Sequence, residues 1–269
     1  MRADGRRQKT ESPGENRARS RARTPEPLNP RTQEPGELVA AITREFKVAA
    51  EPKYRESIQR FFKEPVKLYG VRTPEWRRIS RRFRNQVKHL PKADVFALCE
   101  ELLAIRNSEE RGVAFDWAGR MRKQLRSADF PRLERWLKQH VTNWGSCDSL
   151  CGGALGFFLL DHPEFLPKVR VWARSKNRWL RRASAVAHII PNRNGIAVDS
   201  AYQVADILLV DTDDMVQKGY GWMLKEIANK RPREVFEFVM ARKDRMPRTA
   251  LRYAIEKMPP AWRKRAMAR

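Results

Sequence analysis

Midway along the sequence, Asn143-Trp144-Gly145-Ser146-Cys147-Asp148-Ser149-Leu150-Cys151-Gly152-Gly153 sets one carboxylate, Asp148, a helical turn beyond an indole, Trp144. The chain around it is strongly cationic: 56 Lys and Arg face 32 Asp and Glu, a formal net charge of +24. A carboxylate is a poor grip for phosphate, because like charges repel. It is a good partner for positive charge that develops during a reaction. Breaking an N-glycosidic bond produces an oxocarbenium-like sugar, and carboxylates stabilise such cations. Asp148 would hold that charge and orient a water, while Trp144 packs on the sugar or meets a cationic base through its π face.

Other chemistries fit less well. His140, Cys147 and Cys151 fall short of the ligand count a zinc site requires, so neither metal nor cofactor is expected. Neither cysteine has an activating partner, and His89, His162 and His188 are scattered without triad order. There is no P-loop or dinucleotide fingerprint. Three cysteines make no disulfide framework and no secretory leader is apparent, which places the protein in the cytoplasm, associated with the nucleoid through its ligand. Leu150 to Leu160 is about half a bilayer span and reads as a buried helix. Its Gly152-x-x-x-Gly156 spacing implies close packing against a neighbouring helix or a ligand.

The elements that must position Asp148 are helical throughout. Residues 1–36 hold five of the 17 prolines and few large apolar residues, so they are expected to form a disordered basic arm, with Arg17 to Arg23 as a loose nucleic-acid anchor or localisation signal. They carry nine Lys or Arg against five Asp or Glu, which leaves +20 for the remainder. The charge belongs to the folded part. From Glu37 the apolar period is that of a helix: Leu38, Ile42 and Phe46, then Tyr54, Ile58, Phe61 and Phe62. Thr73-Pro74-Glu75 reads as an N-cap, a proline at the first helical position and a first-turn acid. Further helices are expected over 92–106, 108–124, 129–140, 143–160, 163–174, 177–190, 196–209, 213–229, 232–242 and 247–257, with residues 259–269 as a basic tail. No strand pattern stands out, and the fold class is all-α.

Helix starts near Ser108, Asn143, Asn177, Asp213 and Pro247 recur about every 35 residues, the period of stacked helical pairs. Near these starts stand Arg111, Arg182, Lys218 and Arg248. Stacking aligns them as a cationic stripe beside helix N-termini, a surface suited to tracking phosphates. The unit that begins at Asn143 offers Cys147 and Asp148 instead, so the acid faces the middle of the stripe. A polyanion is the expected partner. An anionic membrane fits less well, since no basic helix shows an apolar face beyond what a core needs.

Four ordered runs carry a resemblance: Val66-Lys67-Leu68-Tyr69-Gly70-Val71-Arg72-Thr73-Pro74-Glu75, Asn143-Trp144-Gly145-Ser146-Cys147-Asp148, Asn177-Arg178-Trp179-Leu180-Arg181-Arg182-Ala183 and Gln217-Lys218-Gly219-Tyr220-Gly221-Trp222-Met223-Leu224-Lys225-Glu226. Together they resemble the AlkD-like DNA alkylation repair family across about residues 40 to 257. The resemblance implies a right-handed superhelix, a solenoid of HEAT-like antiparallel helical pairs over residues 37–258. It implies a monomeric, monofunctional DNA glycosylase that needs no metal and excises cationic alkylated purines such as 7-methylguanine and 3-methyladenine from duplex DNA. By position it makes Asp148 the catalytic acid, Trp144 and Trp222 the aromatic lining of the sugar, and Arg182 the arginine beside them that holds the backbone.

Members of that family leave the lesion stacked, whereas glycosylases generally flip it into a pocket. Asn143 and Gly145 replace an aromatic and an acid of the best-studied type, so the groove lining differs. Phe61, Phe62 and Tyr69 are candidates for the aromatic that contacts the lesion from the N-terminal side. The competing reading is a non-enzymatic HEAT-like module that binds DNA or a protein partner. Trp76, Trp117, Trp136, Trp172, Trp179 and Trp262 read as packing or surface residues.

Overall fold

Short polar side chains set the beginnings of the helices that matter most. Asn107 accepts a hydrogen bond from the Glu109 amide, Asn143 from Ser146, Asn177 from Trp179, and Asp213 from Met215 and Val216. Each is the N-cap of a helix, an interaction worth about 1 kcal/mol against alanine. With Pro247 at the start of the last, these positions lie 36, 34, 36 and 34 residues apart. The period is that of a helical repeat.

The computed structural model describes residues 35–268. The helices are α1 (Pro35–Val48), α2 (Pro52–Gln59), α3 (Thr73–Val87), α4 (Lys92–Ala104), α5 (Ser108–Arg120), α6 (Phe130–His140), α7 (Trp144–Leu150), α8 (Gly156–Asp161), α9 (Leu166–Val171), α10 (Arg178–Val186), α11 (Ile189–Arg193), α12 (Val198–Ile207), α13 (Asp214–Ala228), α14 (Pro232–Met240), α15 (Arg248–Ile255) and α16 (Pro260–Met267). No strand occurs among the described residues. The helices α5, α7, α10, α13 and α15 pack side by side in that order as an inner row, and α4, α6, α9, α12 and α14 cover them as an outer row. The protein is an all-α solenoid of HEAT-like pairs. Burial is continuous through it, from Ile42 and Phe46 past Phe96, Trp117 and Trp136 to Leu251 and Ile255.

Several expectations need correction. The arm proposed for residues 1–36, including Arg17 to Arg23, lies outside the described residues up to position 34, and Pro35 already begins α1. Thr73 is the first residue of α3 and not its cap; Arg72 occupies the cap position without a side-chain bond. The preceding loop is held instead by Glu109, whose Oε1 accepts from the amides of Tyr69, Gly70 and Val71 at 3.0, 2.9 and 3.3 Å.

The helix expected over 143–160 is broken in the middle. Cys151–Leu155 forms a π turn in which Gly153 leaves helical geometry, at φ −112° and ψ −114°, before α8 resumes. Such π turns occur often at functional sites. The expected close packing holds at Gly156, where a Cβ would stand 2.9 Å from the Ile190 side chain, but not at Gly152, which is open. At the other end, residues 259–269 are not a plain tail. The Pro at the start of α16 opens a helix whose Trp262 stacks on Phe236 with ring centroids 4.6 Å apart and whose Ala266 is buried.

Candidate functional site

Side chains one, five and nine positions after each cap share a helix face, since four residues make slightly more than one turn. From cap to cap this gives Ser108, Trp144, Arg178, Asp214 and Arg248 in one row. The next row is Gly112, Asp148, Arg182, Lys218 and Arg252. Asp148 therefore stands between Gly112 and the cations Arg182, Lys218 and Arg252, at the end of the cationic run and not in the middle that the repeat implied.

Two members of the expected stripe fall outside this second row. Arg111 precedes the row position, which Gly112 holds, and a one-residue offset turns a side chain about 100° around the helix. Arg111 is accordingly buried, with Nη1 donating to Thr142 Oγ1 at 3.3 Å. Gly112 leaves space that Trp76 fills: a Cβ there would stand 2.9 Å from the indole. At the far end Arg252 takes the row position, while Arg248 begins its helix and donates to the Met267 carbonyl at 3.0 Å.

Asp148, Trp144, Trp222, Arg182 and Lys218 converge on one cleft of about 430 Å³, joined there by Phe61, Met215, Lys225 and Tyr253. Among the described residues lining it Asp148 is the one acid. Arg182 meets it fork to fork, Nε to Oδ1 at 2.9 Å and Nη2 to Oδ2 at 2.8 Å, while Nη1 donates to the Met215 carbonyl at 2.5 Å. Arg182 is only 5% exposed. Each of its three guanidinium nitrogens donates a bond inside the protein, so the guanidinium fixes the carboxylate. Burial pushes the Asp148 carboxyl above the usual carboxylate range, against the opposing pull of Arg182.

Trp144 is 36% exposed, and its Nε1 donates to the Phe61 carbonyl at 3.2 Å. Phe62 stacks on it with centroids 5.3 Å apart and planes 17° from parallel. Of the three N-terminal aromatics, Phe61 is the one that lines the cleft. Trp222 is half-buried and donates through Nε1 to Glu226 at 2.9 Å, a carboxylate that also pairs with Arg193. Asn143 lies beneath as the buried cap, its side-chain Oδ1 accepting from the Ser146 backbone N–H at 2.9 Å while its own backbone N–H donates to Ser146 Oγ. That is why an asparagine stands there.

The segment between α2 and α3 crosses to the inner row. Lys63 pairs with Asp214 at 2.9 Å, and Glu64 with Arg178 at 2.6 Å. Beyond Asp148 lies a wider cleft of about 840 Å³ that carries Arg84, Arg120, Arg122 and Lys123. Met215, Lys225 and Tyr253 were missed from the sequence. Trp76, set aside as packing or surface, also lines the wide cleft.

The remaining nucleophile candidates are quiet. Cys99, Cys147 and Cys151 are buried and free, and burial pushes the Cys99 and Cys151 thiols up. Among the described residues no group of three His, Cys, Asp or Glu is placed to hold a metal ion, and no helix is long and apolar enough to cross a membrane.

A family profile described as "DNA alkylation repair enzyme" matches residues 42–258. A solved structure described as a "predicted DNA alkylation repair enzyme from Enterococcus faecalis" superposes with a TM-score of 0.69 at 18% identity, covering 78% of this chain and 97% of that one. At that identity the likeness is one of fold. No curated protein sequence matches the chain.

Proposed function

Because the chain belongs to the DNA alkylation repair enzyme family, we propose that it is a DNA glycosylase that hydrolyses the N-glycosidic bond of cationic N-alkylated purines in duplex DNA. The observation that carries this reading is the Asp148–Arg182 pair, a fixed carboxylate inside a cleft otherwise lined by aromatic and cationic side chains.

The positive charge on an N7- or N3-alkylated purine makes the base a good leaving group. As the bond from C1′ to the base nitrogen breaks, its electron pair moves to the base and cancels that charge. Positive charge then grows on the sugar. Asp148 faces it with a negative charge whose orientation Arg182 has already set, so little reorganisation is needed at the moment of reaction. A water adds to C1′ and passes a proton to the carboxylate, leaving an abasic site. Trp144 and Trp222 pack on the deoxyribose, with Phe61 beside them. Lys218, Lys225 and Arg252 take the flanking phosphates, because cations in a row suit a polyanion. Neutral lesions lack the activated leaving group and are poor substrates.

The test is release of 7-methylguanine from methylated duplex DNA in single-turnover assays. No release by a folded, DNA-binding protein would overturn the enzyme reading and leave a non-enzymatic DNA-binding module.

A further inference from the structure

Both indoles of the catalytic cleft give their N–H groups to the protein. Trp144 Nε1 donates to the Phe61 carbonyl, and Trp222 Nε1 to Glu226 Oε1 at 2.9 Å, one turn further along α13. Neither ring has an N–H left for a ligand. Trp222 packs on the core with only part of its surface. An indole with one side open to a cleft can turn about its side-chain bonds, and a hydrogen bond at its edge is what stops it.

The acceptor is itself anchored. Glu226 is not among the residues that line the cleft, and its side chain is only 10% exposed. Its second oxygen, Oε2, accepts from Arg193 Nε at 3.0 Å and from Asn229 Nδ2 at 3.1 Å. Arg193 ends α11, so the carboxylate is tied to a second helix as well as to its own. Burial pushes the Glu226 carboxyl up, but the hydrogen bonds from Arg193 and Trp222 outweigh it and hold the group below the usual carboxylate range. It is therefore ionised at neutral pH and can only accept, and its bond to the indole is charge-assisted, stronger than a neutral one. Joining α11 to α13 would need Oε2 alone; Oε1 is given to the indole.

We propose that Glu226 is a positioning residue for excision: it fixes the orientation of Trp222, so that the ring is preset against the deoxyribose before the glycosidic bond breaks. This role rests on the glycosylase reading. Glu226 takes no part in the charge balance of the reaction and acts through the indole alone. A carboxylate that merely stapled α11 to α13 would act whether or not the indole were present, and one that acted by its charge would be lost on neutralisation.

The experiment uses the full chain. Glu226→Leu keeps the volume without an acceptor, and Glu226→Gln keeps an acceptor without the charge. Arg193 is half exposed and can turn to water when released, so both variants should fold; thermal melts check this. Single-turnover excision of 7-methylguanine at saturating DNA should fall about tenfold in Glu226→Leu, because a misplacement of about 1 Å costs on the order of 100-fold and a loosened ring is misplaced part of the time. Affinity for an unmodified duplex should not change. Glu226→Gln should recover most of the rate, and in a Trp222→Phe background, which has no indole N–H, Glu226→Leu should slow nothing further. A full rate in Glu226→Leu, equal slowing with and without the indole, or a Gln variant as slow as the Leu variant would overturn the proposal. The Trp222 Nε1–H resonance in proton–nitrogen NMR, identified by its absence in Trp222→Phe, reads the bond without turnover. It should move in Glu226→Leu and stay near its place in Glu226→Gln; a resonance indifferent to the Leu substitution would overturn the positioning. A wild type that releases no base while this resonance responds would instead overturn the glycosylase reading and leave Glu226 as the group that holds Trp222.

Discussion

Asp148 and Arg182, on neighbouring inner helices, share two parallel hydrogen bonds of 2.9 and 2.8 Å, and the third guanidinium nitrogen donates to the Met215 carbonyl. A carboxylate held this way cannot turn aside when a cation forms next to it. It follows that the acid and the arginine fail in different ways when altered.

Asp148→Asn keeps the shape and removes the charge. Excision of 7-methylguanine in single turnover should fall by at least about 100-fold, with DNA affinity unchanged or slightly tighter. Asp148→Ala leaves a buried guanidinium without its partner and should cost about 3 kcal/mol of stability, read by chemical denaturation. Undiminished excision by Asp148→Asn would remove the acid from the mechanism.

The acid limb of the pH profile tests the same carboxyl. Burial raises its pKa, so as pH falls it takes up a proton sooner than an ordinary aspartate, and the reactive anion is lost. Single-turnover excision should therefore decline below a pKa higher than about 3.9, and that limb should be absent from the residual rate of Asp148→Asn. A shared limb would point to another group.

Phosphate contacts separate from positioning through salt. Lys218→Gln and Arg252→Gln should each flatten the dependence of log K on log salt by about 0.9, the effect of one phosphate contact. Arg182→Lys should leave that slope alone yet slow excision, because an ammonium cannot hold both carboxylate oxygens. A flattened slope in Arg182→Lys would return that residue to the phosphate track.

His188 sets a pH limit on the fold. Its Nδ1 lies 2.7 Å from the Ser184 carbonyl, which can only accept, so the ring is protonated there and Nε2 accepts from Ser200 Oγ at 2.9 Å. Burial holds its pKa down to about 4. Between about 6.5 and 4 the unfolded chain binds a proton that the folded one refuses. Stability is thus full above pH 6.5 and should fall by up to roughly 3 kcal/mol as pH drops toward 4. Urea melts of wild type and His188→Gln across that window should differ in slope; parallel curves would refute the assignment.

The repeat was legible because caps are local chemistry. Each start at Ser108, Asn143, Asn177, Asp213 and Pro247 lies within one residue of a helix beginning in the structure. Asp148, Trp144, Trp222 and Arg182 were legible as a group because the family motifs fix their order. The facing of the cations was not, since facing depends on a single residue of register. Arg111 resembled its siblings by sequence distance, but Gly112 holds the equivalent position and Trp76 covers it. The π turn at Cys151–Leu155 was hidden in a run that any apolar period would read as one helix. Nor could spacing show that Phe61, remote in sequence, reaches Trp144.

The tie between Glu64 and Arg178 spans 114 residues, and Lys63 reaches further, to Asp214. A stack whose units touch only their neighbours can fray from either end, one pair at a time. Here the contact order is raised by a segment that skips over the intervening pairs, so α2 cannot detach without disturbing α10 and α13. Two consequences follow for folding. Closing so long a loop is slow relative to zipping adjacent pairs, and the region from α2 through α15 should melt as one cooperative block, because α15 packs closely along α13.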